Sequence, residues 1–238
     1  MLKVKGLLKD YKNVRAVNDI SFDLEEGDIV GLLGPNGAGK STTIKTIAGL
    51  LRATYGDVTI NGHKNTSVDA KSNFSYIPEM PELYEMLTVW EHIKFIAYAY
   101  KVSNWEEKAE KLLRRYDMWD RKDKLSKELS KGMKQKVSIC CGLLPDPGLY
   151  LFDEPMIGLD PKAIRETKII FKELSERGKT IFVSTHLLDS IENLCKRVLV
   201  MKSGTIIADE SVDNLKKKLG NNTDVSLEDV FLEVTKDE

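Results

Sequence analysis

The chain has 238 residues, enough to bury a sizeable core as one large domain or as one domain with an inserted subdomain, which excludes a small disulfide scaffold. Lys and Arg total 36 against 37 Asp and Glu, a formal charge of -1, so no global field draws the chain toward nucleic acid or an anionic membrane, and any anion site must be local. The cysteines Cys140, Cys141 and Cys195 are odd in number and lack metal-ligand spacing, which suits a reducing cytosol. No signal-like leader opens the sequence and no window approaches about 18 uninterrupted apolar residues, so neither signal-directed secretion nor membrane spanning is expected.

The first third reads as strands. In "NDISFDL", Ile20, Phe22 and Leu24 alternate onto one face, "EEGD" turns, and "IVGLL" is apolar throughout, as in a strand covered on both sides. Ser41 to Leu51 follows as a helix, with Ile44, Ile47, Ala48 and Leu51 spaced by three and four. "GDVTING" and "SYIPE" return as short strands.

From about residue 82 to 144 the pattern turns helical. Thr88 with Glu91 forms a capping-box pair ahead of Val89, Ile93, Ile96, Ala97 and Tyr100, and Ser103 with Glu106 repeats the device ahead of Ala109, Leu112, Leu113 and Tyr116. A third helix follows Ser130, turns Val137, Cys140, Cys141 and Leu144 inward, and ends at "PDP". "LYLF" and "TIFVS" then resume the sheet around a helix from about Pro161 to Glu176. "RVLVMKSGTIIADE" reads as a hairpin about Lys202-Ser203-Gly204, and short helices start near Ser211 and Ser226.

The stretch "GPNGAGKST" has the G-x-x-x-x-G-K-[ST] pattern between a strand and a helix. Glycines let successive backbone N–H groups converge on a β-phosphate, and the helix N-terminus adds its positive end. Lys40 would reach the β- and γ-phosphates, Ser41 would ligate Mg²⁺, and Thr42 can bond the α-phosphate. Turnover needs a metal-orienting carboxylate and a group that activates water at the same sheet edge. "LYLFDEP" offers Asp153 for the metal's water shell and Glu154 for the attacking water, although this acidic pair taken alone reads equally well as a helix cap. "TIFVSTH" delivers Ser184, Thr185 and His186 to that edge, with His186 placed to contact the γ-phosphate, whereas His63 and His92 read as structural.

Together these residues resemble the nucleotide-binding subunits of ATP-binding cassette transporters. The specific element is "LSKGMKQK", similar to the family's signature loop; Ser130 is a good N-cap there, and with Gly132 it leaves helix-start N–H groups free for an anion. The resemblance implies an α/β fold: a P-loop NTPase (RecA-like) core with a mixed sheet, an N-terminal antiparallel β region, and an inserted all-helical subdomain. The core would be residues 1–81 and 145–238, and the helical subdomain 82–144. ATP would lie on Gly34, Pro35, Asn36, Gly37, Ala38, Gly39, Lys40, Ser41 and Thr42, with Tyr11 stacked on adenine. Glu79, in place of the family's usual glutamine, keeps an oxygen for the metal or its water, and Asp160 of "MIGLD" would reach across a dimer interface. Lys131 and Met133 depart from the signature's common glycine and glutamine.

The resemblance further implies two cassettes facing head to tail with ATP between them, a homodimer or a mixed pair. They would drive a transmembrane permease subunit from the cytoplasmic face of the cell membrane. The partner's short helix is expected near Pro78, Glu79, Pro81, Leu83 and Tyr84. The variants at Glu79 and at Lys131 and Met133, and the ending "SLEDVFLEV", look like an exporter-type branch. A soluble ATPase of the same class without a membrane partner is the alternative reading, although no coiled-coil insertion or tandem cassette is present. A P-loop GTPase is opposed by the lack of N-K-x-D, and a pure binding module by Glu154 after Asp153. Lys216 to Lys218 and Arg114-Arg115 read as solvated faces, so no nucleic-acid partner is expected.

Overall fold

The structure is a computed structural model that describes residues 1–186, 191 and 194–218. Strands Leu2–Tyr11 (β1) and Val14–Leu24 (β2) form a hairpin, and Ile29–Leu33 (β3) leads through the glycine loop into helix Lys40–Ile47 (α1). Tyr55–Ile60 (β4) and His63–Lys64 (β5) join the hairpin in an antiparallel sheet of order β2-β1-β4-β5. After helix Val68–Ser72 (α2) and strand Phe74–Ile77 (β6) come three helices, Val89–Ala99 (α3), Trp105–Arg115 (α4) and Lys131–Leu143 (α5). Strand Leu149–Asp153 (β7), helix Pro161–Glu176 (α6) and strand Thr180–Thr185 (β8) follow. The hairpin Arg197–Lys202 (β9) and Thr205–Ser211 (β10) then leads to helix Val212–Lys218 (α7).

The second sheet runs β10-β9-β3-β8-β7-β6, parallel from β9 to β6 with β10 antiparallel at its edge. Its strands read as unbroken apolar runs because both faces are covered. Val30, Leu32, Leu149, Leu151 and Phe182 pack with α1 and the antiparallel sheet, whereas Leu33, Tyr150, Phe152, Ile181 and Val183 pack with the helices on the other side. Parallel pairing puts Leu33 beside Thr185, Asp153 beside Ser184 and Ile77 beside Phe152, so four loops leave one sheet edge together.

Ile20, Phe22 and Leu24 are buried, and Thr88 and Glu91 close the expected capping box. Four expectations change. α1 stops at Ile47, because Gly49 turns left-handed at φ 71°, so Leu51 lies beyond it. Ser103 and Glu106 form no box: Asn104 precedes α4 in a left-handed conformation without a side-chain cap, and Trp105 is drawn under Trp90 at 4.9 Å between ring centres. Tyr100, placed on the buried face of α3, is exposed. Arg115 is not a plain solvated cation, since it pairs with Glu166 and, at 2.7 Å, Glu173 on α6. The helix expected near Ser226 lies outside the described residues. Among the described residues no helix is long and apolar enough to cross a membrane.

Candidate functional site

The loop after β3 is shaped by backbone crowding. A Cβ on Gly34 would stand 2.4 Å from the Met201 carbonyl oxygen, and one on Gly39 would stand 2.4 Å from that of Ala16. Gly39 also opens α1 at φ 107°, which L side chains rarely adopt, and it supplies no side-chain cap, so the first N–H groups of α1 face the loop. No acidic residue occupies that first turn. The concavity is therefore a donor-rich cradle of the kind that receives phosphate.

A cleft of about 440 Å³ lies over this loop, lined by Asn36, Gly37, Ala38, Gly39, Lys40, Ser41 and Thr42 together with Ala16, Glu79, Glu154, Ile157 and His186. Gly34 and Pro35 sit below it and hold the Lys40 ammonium through their carbonyl oxygens at 2.8 and 3.3 Å. Lys40 and Glu154 are both buried, with Nζ 3.4 Å from Oε1. The other Glu154 oxygen faces His186 Nδ1 at 3.0 Å and accepts from the His186 backbone N–H at 3.3 Å. Glu154 takes φ 47°, a left-handed conformation unfavourable for a side chain of its kind, held by its N–H donating to the Ser184 carbonyl and hydroxyl at 3.2 and 3.1 Å.

Asp153, fully buried, accepts at Oδ1 from Ser41 Oγ and Ser184 Oγ, each at 2.8 Å. Its Oδ2 completes no hydrogen bond among the described residues, and neither does the nearby Tyr76 hydroxyl. Burial first, and the Asp153 carboxylate second, push the Tyr76 phenol well above its usual range. A buried carboxylate oxygen that no donor among the described residues holds at full hydrogen-bond geometry, although the Tyr76 phenol lies nearby, fits, beside a serine hydroxyl, a hydrated divalent cation that prefers oxygen ligands.

Lys40, Ser41, Thr42, Glu79, Glu154 and His186 thus meet in one cleft, with Asp153 beneath Ser41. Tyr11 does not line it: it ends β1 at 42% exposure, so it is no core residue, and Lys9 stands over its ring. Ser130, Gly132 and Asp160 also lie outside the cleft and form a second group. Ser130 Oγ caps α5 by accepting from Met133 N–H at 3.3 Å. Asp160 caps α6 by accepting from Ala163 N–H at 2.9 Å, and it pairs with Lys136 at 2.6 Å. The Lys136 ammonium, then the Ala163 N–H, hold the Asp160 carboxyl below the usual range. Sequence reasoning passed over Gln135, 1% exposed, which bonds the loop following Glu154. The only signal was its place on the same helix face as Gly132.

The chain also resembles known proteins over most of its length. A family profile described as ABC transporter matches residues 17–157. The ABC-type transporter ATP-binding protein EcsA of Bacillus subtilis (strain 168) is 40% identical, over 100% of this chain and 98% of its own length. The SkfA peptide export ATP-binding protein SkfE of the same organism is 33% identical, over 92% of each chain. Among solved structures, an ATP binding subunit of an ABC transporter superposes with TM-score 0.93 at 38% identity, covering 99% of this chain and 100% of that one. The ATP-binding cassette MJ0796, a dimer in a post-hydrolysis state bound to ADP and Pi, superposes with TM-score 0.79 at 26% identity, covering 89% of this chain and 99% of that one.

Proposed function

The chain belongs to the ABC transporter family as a P-loop ATP-binding subunit and ATPase, and from that premise we propose that it powers outward solute transport through a separate transmembrane permease subunit. The observation that carries the reading is the separation of two half-sites on one chain. The cleft holds Lys40, Glu154 and His186, while Ser130, Gly132 and Asp160 sit apart at the starts of α5 and α6. Two copies, or this chain and a similar one, facing head to tail would each complete the other's site, so that ATP joins them.

In that sandwich the loop from Gly34 to Thr42 cradles the phosphates, and Lys40 gives up its contact with Glu154 to meet the β- and γ-phosphate oxygens. Tyr11 stacks on adenine. Ser41, Asp153 and Glu79 are the residues that would hold Mg²⁺, which supplies neutralisation of phosphate charge when bound. Glu154 orients water and takes its proton as the water oxygen bonds the γ-phosphorus and the bond to the β-phosphate oxygen breaks, giving ADP and phosphate. His186, already against Glu154, contacts the γ-phosphate.

The permease's helix would dock at Pro78, Glu79, Pro81, Leu83 and Tyr84, a position supported by exposed Met80, Tyr84, Met86 and Phe95. That docking places the subunit at the cytoplasmic face of the membrane. Outward transport is supported by the ending "SLEDVFLEV" and by the likeness to SkfE, a peptide export ATP-binding protein. The test is Glu154→Gln. This variant is expected to bind ATP, to lose turnover by at least about a hundredfold as for loss of a general base, and to persist as an ATP-bound dimer on gel filtration. Hydrolysis at the unaltered rate would refute the assigned base.

A further inference from the structure

Helix α5 turns one face onto the backbone that carries the acids of the cleft. At its start, a Cβ on Gly132 would stand 2.5 Å from the Gly158 carbonyl oxygen, and near its end one on Gly142 would stand 2.4 Å from Ile77 Cγ1 on β6. Between these two close approaches lies Gln135, on the same face by its spacing of three and seven residues. Its Nε2 donates to the Pro155 carbonyl oxygen at 3.2 Å and, at the limit of 3.5 Å, to that of Pro78. Pro155 directly follows Glu154, and Pro78 directly precedes Glu79. β6 and β7 are neighbouring parallel strands, so the two prolines leave the sheet side by side and one amide spans them.

The Gln135 oxygen is the telling atom. It is buried and, among the described residues, has no hydrogen-bond partner. An amide oxygen left without a donor is costly, and a methionine of similar length would fill the same space without that cost. A side chain that only packed α5 against the sheet has no need of the amide. The two N–H bonds are what it provides, and both end on backbone that adjoins a carboxylate of the cleft.

We propose, on the nucleotide reading above, that Gln135 is a positioning residue for hydrolysis: its amide fixes the Pro78 and Pro155 carbonyls against α5 and thereby sets Glu79 and Glu154 relative to the γ-phosphate. Because Ser130 and Gly132 begin the same helix, closure of a second cassette's nucleotide onto the start of α5 is passed through Gln135 to this chain's own Glu154. Gln135 touches no substrate atom in this scheme. It acts through the two loops.

The experiment uses the full chain with Gln135→Met, which keeps length and removes both donors. Three quantities are measured beside the wild type: affinity for a fluorescent ATP analogue, melting temperature, and steady-state hydrolysis. The expected result is an affinity within about twofold, an unchanged or raised melting temperature, and kcat lower by about tenfold to a hundredfold, the scale of a misplacement near 1 Å. Retained kcat overturns the proposal. So does a fall in affinity and melting temperature alongside kcat, which would make Gln135 a plain structural tie. Should the methionine variant not fold, Gln135→Asn, with its donor one methylene short, must show the same split between affinity and kcat. Glu154→Gln run in parallel separates the two ideas: an active Glu154→Gln defeats the assigned base, whereas an inactive Glu154→Gln beside a fully active Gln135→Met defeats only the positioning role.

Discussion

Gly132→Ala tests how tightly the start of α5 is seated. The added Cβ would stand 2.5 Å from the Gly158 carbonyl oxygen, a backbone atom that no rotamer change can move. Restoring ordinary separation shifts either the first turn of α5 or the loop after Glu154 by roughly 0.5–0.9 Å. Overpacking of this kind costs about 1–3 kcal/mol, and alanine's better helix propensity returns about 1 kcal/mol, so the net loss is about 0–2 kcal/mol. For a chain of this length that lowers the melting temperature by no more than about 8 °C. The same shift is close to the scale at which turnover falls by about a hundredfold, so ATPase activity should drop far more than stability. Gly158→Ala is the control, because nothing lies within 4 Å of its added Cβ but its φ of 76° is unfavourable to alanine. It should lose about 1–2 kcal/mol of stability with the smaller loss of turnover. Melting curves and steady-state hydrolysis on both variants decide the matter: a Gly132→Ala protein with wild-type turnover, or a Gly158→Ala protein equally inactive, refutes the crowding argument.

Two further outcomes are expected. Lys40→Ala removes the ammonium from between the loop carbonyls and Glu154, and with it charge-assisted bonds to phosphate worth about 1.5–3 kcal/mol each, so a nucleotide titration should show affinity at least about tenfold weaker. His92 is buried beneath Tyr84, and burial pushes its pKa below the usual histidine value. Since its folded pKa is depressed, its contribution to stability is complete above the unfolded value near about 6.5 and is lost as pH falls through the folded pKa. Chemical denaturation between about pH 7.5 and 5.5 should therefore show a flatter stability curve for His92→Phe than for the wild type, and parallel curves would contradict the assignment.

What the sequence made legible was whatever has a local physical cause. "IVGLL", "LYLF" and "TIFVS" announce strands covered on both sides, and each is fully or nearly fully buried. Thr88 and Glu91 close their box because both partners sit within one turn. The identical spacing at Ser103 and Glu106 fails for a reason no local pattern contains. Lys101 and Asn104 both turn left-handed, at φ 52° and 50°, and bring Trp105 into a cluster with Trp90 and, at 6.3 Å, Tyr98. Packing of large aromatic surface outweighs a cap worth about 1 kcal/mol.

The same distinction runs through the site. Lys40, Asp153, Glu154 and His186 could be placed together because each ends or follows an apolar strand, and parallel strands deliver their ends to one edge. Within "LSKGMKQK" the resemblance singles out Ser130 and Gly132 and leaves Gln135 aside. A glutamine between two lysines reads as a solvated turn of helix, yet the Lys136 side chain is only 13% exposed and Gln135 is buried outright. Three residues of that short stretch lean on the loop after Glu154: Gly132 on a carbonyl, Gln135 on another, and Lys136 on Asp160. The first two contacts fall on backbone carbonyls from a distant part of the chain, which carry no residue-specific mark in the sequence. That is why the Gln135 contacts had to be found in three dimensions, and why substitutions on that face of α5 should disturb turnover before they disturb folding.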